Sequence, residues 1–93
     1  MSAEEDLKSA YEAFKGDDYA TASQLFYKVY QSPEVAEDEA LRRETAWNLG
    51  LACALQDDLE ASRGWFQASG YGPEKFEEQQ LGEFYRQVVL QEK

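Results

Sequence analysis

The sequence predicts an all-α chain of five helices arranged as antiparallel pairs, and three observations carry that reading. No stretch alternates apolar and polar residues with a period of two, so strands are not expected. Apolar residues recur instead at i, i+3, i+4 and i+7 in segment after segment. The pattern "DDYATASQLF" at 17–26 also returns as "DDLEASRGWF" at 57–66, each copy followed seven residues on by Pro-Glu (Pro33-Glu34, Pro73-Glu74). A recurrence at fixed spacing marks a repeated supersecondary unit.

The first helix is expected over 3–15. Ser2 and Glu5 have the spacing of a capping box, and Leu7, Ala10, Tyr11 and Phe14 form one apolar face. Gly16 is expected to end it in the left-handed conformation. Asp17 or Asp18 caps a second helix over 18–31, with Tyr19, Ala22, Phe26, Val29 and Tyr30 on its inner side. Ser32-Pro33 then starts a third helix over 34–55, Pro at its first position. Its early part is polar, and Asp38 with Arg42 and Glu39 with Arg43 have the i, i+4 spacing of exposed ion pairs. From Trp47 to Leu55 it turns apolar nearly all round, as a helix with neighbours on several sides does. Asp57-Asp58 begins a fourth helix over 58–69, with Leu59, Ser62, Phe66 and Ser69 inward, and "SGYG" ends it. Pro73 opens a fifth over 74–91, where Phe76, Leu81, Phe84, Tyr85 and Val88 are the apolar positions.

The stretch "TAWNLGLACALQDDLEASRGWFQASGYGPE", 45–74, resembles a tetratricopeptide repeat, with Trp47, Leu49-Gly50 and Phe66 near its signature places, Ser62 where alanine is usual, and Pro73 near the end. The copy at 5–34 is weaker: Ala10 replaces the glycine, while Tyr19, Ala22, Phe26 and Pro33 fit. The resemblance implies a single domain over 1–93, with repeat 1 at about 3–34, repeat 2 at about 35–72 and a capping helix at about 73–92. Its helix pairs would stack as a short right-handed superhelix. The copies lie 40 residues apart where the family's period is 34. The excess falls in "PEVAEDE", as added turns or a longer loop. An irregular five-helix bundle is the alternative. Gln56 stands where the first copy has Gly16, and Gly64 interrupts the fourth helix, both departures from the pattern.

The 93 residues carry nineteen acidic and nine basic side chains, a net charge of −10, with 43% hydrophobic content including two Trp, five Phe and six Tyr. That is enough apolar mass for a core. The charge repels phosphate backbones and anionic lipid, so nucleic acid and membrane are not expected as partners. The acidic start and short apolar runs point to a cytoplasmic protein without a targeting segment. Cys53, alone in "ACAL", reads as a buried, inert thiol.

There is no histidine, and Ser and Thr therefore lack their usual activating partner. Adjacent carboxylates (Asp17-Asp18, Asp57-Asp58, Glu77-Glu78) point about 100° apart on a helix and read as caps and solvated faces. No phosphate-binding glycine loop or calcium-loop spacing is present. No catalytic residue, cofactor or metal is expected, and the chain reads as no enzyme.

The resemblance implies a protein-interaction module that offers the concave face of its first helices to a peptide or helix. With the short length and the acidic charge, the chain reads as an adaptor or small chaperone for an amphipathic helix or apolar segment of a basic or amphipathic partner. That face would be lined by Leu7, Lys8, Tyr11 and Lys15, and by Glu44, Trp47, Asn48, Leu51 and Leu55. Trp47, Leu51 and Leu55 packing on the fifth helix is the competing reading. Family members that grip acidic C-terminal peptides do so with Lys and Asn. Here only Asn48 is kept, with Leu7 and Tyr11 in the other places, so that recognition is disfavoured. Self-association through Tyr71, Trp65 and the outer face of the last helix is the alternative function.

Overall fold

Two helical hairpins pack side by side, and a run of short helical segments closes one end. The structure, a computed structural model, describes residues 3–91; Ser2, and with it the expected capping box, lies outside them. Helix α1 spans Ala3–Lys15, α2 Tyr19–Tyr30, α3 Pro33–Ala36, α4 Glu39–Leu55, α5 Leu59–Ser69, α6 Pro73–Glu78 and α7 Gly82–Phe84, and a π-helical turn covers Tyr85–Val89. No strand occurs among the described residues.

Helices α1 and α2 run antiparallel, as their contacts show: Phe14 meets Tyr19, Tyr11 meets Phe26, and Asp6 reaches Lys28 Nζ at 3.5 Å. Helices α4 and α5 pair the same way, with Gly50 against Ser62, Trp47 against Phe66 and Arg43 against Ser69. Between the hairpins, α2 packs on α4 through Phe26 and Leu49, and Gln56 Nε2 donates to Ser23 Oγ at 3.2 Å.

The doubled aspartates explain both hairpin turns. Asp17 (φ 62°) and Asp57 (φ 63°) each take the left-handed conformation just past a helix end. The next amide folds back five residues, Asp18 N to Ala13 O and Asp58 N to Cys53 O, both at 2.9 Å, the closure of a Schellman motif. Asp18 and Asp58 then cap the following helix, accepting from Thr21 N and Ala61 N at 3.2 Å. One aspartate closes a helix and its neighbour opens the next. Gly16 is therefore not the left-handed residue that was expected. It is the cap residue before it, a place Gln56 fills equally well in the second hairpin.

The same spacing of 40 governs the packing. Ala10 and Gly50, Ala22 and Ser62, and Phe26 and Phe66 occupy matching sites, and all six are buried. A Cβ on Gly50 would stand 2.7 Å from the Phe66 ring, so the α4–α5 crossing needs a glycine there. Ser62 Oγ also donates to Gly50 O at 2.8 Å.

Two expected helices are broken. The third divides because Asp38 turns extended (φ −112°, ψ 96°) and its carboxylate accepts from Leu41 N at 3.1 Å, starting α4 afresh. The extra residues of "PEVAEDE" thus form the four-residue α3, pinned by Val35, and a turn. The expected i, i+4 pairs do not form either. Asp38 is engaged as a cap, Arg43 donates its Nε to Ser69 O at 2.8 Å, and Arg42 Nη1 lies 3.5 Å from Ala36 O.

The fifth breaks at Gln80 (φ 61°), where Leu81 N returns to Phe76 O at 2.6 Å in a third Schellman closure. Further on, Leu90 N bonds Tyr85 O, five residues back, and the wider turn advances the inner face by a residue. Val89 is buried in consequence, and Val88, the expected inner position, is half-buried. Phe76 is enclosed by Trp47, Phe66 and Tyr85, so this segment does complete the core of the second hairpin.

Candidate functional site

The site begins on one stripe of α4, where Asn48, Leu51 and Leu55 follow at i, i+3 and i+7 and share a face. Its upper end is closed. Asn48 is buried, and its Nδ2 donates to Tyr11 Oη at 2.9 Å, tying α4 to α1. Tyr11 remains 39% exposed, with its ring edge-on to Phe26. Leu7 is half-buried against the first core, while Lys8 and Lys15 are exposed on α1 and make no ion pair among the described residues.

Trp47 is not available at this surface. It is 2% exposed, ringed by Phe66, Tyr71 and Phe76, with the Lys75 ammonium 5.3 Å from its centroid. Glu44 is equally occupied: its Oε2 accepts from Tyr71 Oη at 3.0 Å and from Lys75 Nζ at 3.4 Å. Arg43 lies 4.3 Å from the Tyr71 ring centroid, and Lys75 4.6 Å. Burial, and then the bond to Glu44, push the Tyr71 phenol above its ordinary value. These groups latch the α5–α6 loop onto α4.

The lower end of the stripe is open. Leu51 and Leu55 form one wall of a notch of about 290 Å³; Leu81 and Phe84 form the other, with Ala54 beside them and Phe66 at its base. The lining is almost wholly apolar, and Leu55 is 52% exposed. Of the nine residues expected along the face, then, Leu51 and Leu55 meet in one cavity, and Tyr11 and Asn48 meet in one hydrogen bond. Leu7, Lys8 and Lys15 stay on α1, and Trp47 and Glu44 are used in packing.

Ala54, Phe66, Leu81 and Phe84 were not expected at a site. The Phe66 position gave a strong core signal, but its second role depends on where α7 lands, and the break at Gln80 decides that. Cys53 is buried, and its thiol is pushed up, chiefly by burial and secondarily by Asp58. No three Cys, Asp or Glu side chains converge as a metal site would require, among the described residues. No helix among them is long and apolar enough to cross a membrane. Comparison with protein-family models, curated proteins and solved structures finds no match.

Proposed function

We propose that the chain is a non-catalytic protein-interaction module, an adaptor or small chaperone, that holds an amphipathic helix or apolar segment of a partner along the α1–α4 face. Its hairpins would stack in the manner of tetratricopeptide repeats, with that face as the concave one. The observation that carries the reading is the open apolar notch lined by Leu51, Leu55 and Phe84. Phe26, Phe66 and Phe76 are buried, whereas Leu55, 52% exposed, and half-buried Leu51 face an open apolar cavity. Open apolar surface of this kind suits a protein partner.

The test compares the wild-type chain with Leu51→Asp as bait, after both are checked for equal helicity and melting. A partner retained by the wild type and lost by the variant supports the reading, because an unpaired charge would enter a desolvated contact. Equal retention of every captured protein sinks it.

Self-association is the second reading. Tyr71, one of its expected contacts, is latched to Glu44, but Tyr27 is exposed at 47% and packs edge-on to Trp65. Light scattering across a concentration series separates the two, since a module with an open face stays monomeric.

A further inference from the structure

The notch is lined by Leu51 and Leu55 of α4 and by Leu81 and Phe84, which cap and end the three-residue α7. Leu51 and Leu55 are four residues apart on α4 and form a helical ridge, and Leu81 and Phe84 stand across from it. A helix laid against such a ridge presents anchors at i, i+3 and i+4, which an extended strand does not. The cavity volume of about 290 Å³ accommodates bulky side chains rather than a large ligand.

Charge selects among the helices that would fit. The notch lies on a molecule of net charge −10, with Asp57 and Asp58 following Leu55 and Glu83 beside Phe84. Two of the nine basic groups, Lys28 and Lys75, are already paired with Asp6 and Glu44. A second copy of the chain would bring another −10 to the same contact, and an acidic helix would meet the same repulsion. From shape and charge together, we infer that the notch is the anchor site for a cationic amphipathic helix, whose bulky apolar side chain enters between Leu55 and Phe84 while its basic face is steered by the surrounding acids. The inference rests on the interaction reading above and names the partner's chemistry and its point of attachment.

Leu55→Asp tests it with a sign that attraction alone cannot mimic. The residue is half-exposed at the end of α4, so the fold tolerates the change. The substitution adds negative charge while spoiling the apolar wall. The probes are a synthetic helix with leucines at i, i+3, i+4, i+7 and lysines elsewhere, and its counterpart with glutamates for lysines. Binding to the full chain is followed by calorimetry and by leucine methyl shifts. The expected result is that the lysine peptide binds at least about tenfold more tightly than the glutamate peptide. It should shift the Leu51, Leu55 and Leu81 methyls. Leu55→Asp should weaken it about tenfold or more, whereas Gln24→Asp, an equal charge placed on exposed α2, should not.

Unchanged or tighter binding by Leu55→Asp would overturn the inference and leave only general attraction, with the interaction module still standing. Equal binding of the glutamate peptide would overturn the cationic partner. Methyl shifts that follow protein concentration without peptide would assign the notch to a second copy. If neither peptide binds at millimolar concentration, the inference fails, and the Leu51→Asp retention experiment decides separately whether the module does.

Discussion

Two adjacent aspartates of the same kind have opposite duties in each hairpin turn, and their substitution should separate them. Asp57 sits at φ 63°, where an L side chain is strained and glycine is not. Asp57→Gly is expected to stabilise by up to about 1 kcal/mol. Asp58 caps α5 through Ala61 N, and Asp58→Ala should cost about 1 kcal/mol. Urea denaturation of both variants checks the pair, and the same sign for the two would refute the assignment. The glycines divide likewise. Gly50→Ala forces a Cβ into the Phe66 ring and should cost about 1–3 kcal/mol. Gly64 has open space around the Cβ position on an exposed helical face, so Gly64→Ala should gain about 0.5–1 kcal/mol. A stabilising Gly50→Ala in thermal melts would mean that α4 and α5 do not cross at that point.

At the scale of the element, the segment from α6 through the π turn behaves as a lid on the second hairpin and not as a free arm. Phe76 is fully enclosed, and Val89 closes over the same cluster. Removing residues 73–93 would strip Trp47 and Phe66 of their cover. The expected product is a chain with a lowered melting temperature that associates at micromolar concentration, because large aromatic surface meets water. Analytical ultracentrifugation reads the outcome, and a truncated chain that stays monomeric and equally stable would contradict the packing. This element also explains why Glu44 is a poor site for probing steering alone: reversing its charge unlatches Tyr71 and Lys75 as well.

The molecule as a whole should lose stability on the alkaline side. The Cys53 thiol is pushed up mainly by burial, and the Tyr71 phenol by burial and its bond to Glu44. Tyr19, donating to Asp17 at 2.9 Å, is shifted in the same direction by that bond. Each group keeps its proton more tightly folded than unfolded. The stability this supplies is complete below the unfolded values, near 9 for the thiol and 10 for the phenols, and is lost as pH rises through the folded ones. Melting temperature is expected to fall from about pH 9 upward, and Tyr71→Phe should make the fall shallower even though it lowers the curve at neutral pH. A variant curve parallel to that of the wild type would show that Tyr71 carries none of the dependence.

Most helical segments, most of their inner faces and the correspondence between Phe26 and Phe66 were legible in the chain because each depends on neighbours within a turn or two. Leu59, expected inward at the start of α5, is instead 43% exposed because no later element among the described residues covers it. The doubled aspartates announced both hairpins for the same reason, although which of the two would turn left-handed was not readable from residue type. Asp38 and Gln80 were misread. At Asp38 a cap competes with continuation of the helix at nearly equal cost, and at Gln80 a residue without glycine's freedom takes φ 61° once Leu81 and Phe84 pack inward. The site divides along the same line. Leu51 and Leu55 belong together by spacing alone, but the wall that faces them comes from residues about thirty positions later. Trp47 could have been an open contact or a packed one, and Phe76 and Tyr71 settled it by arriving from beyond α5. Local sequence determines which face of a helix is apolar; only tertiary contact decides whether that face is covered, because burial is a property of what comes to lie against it.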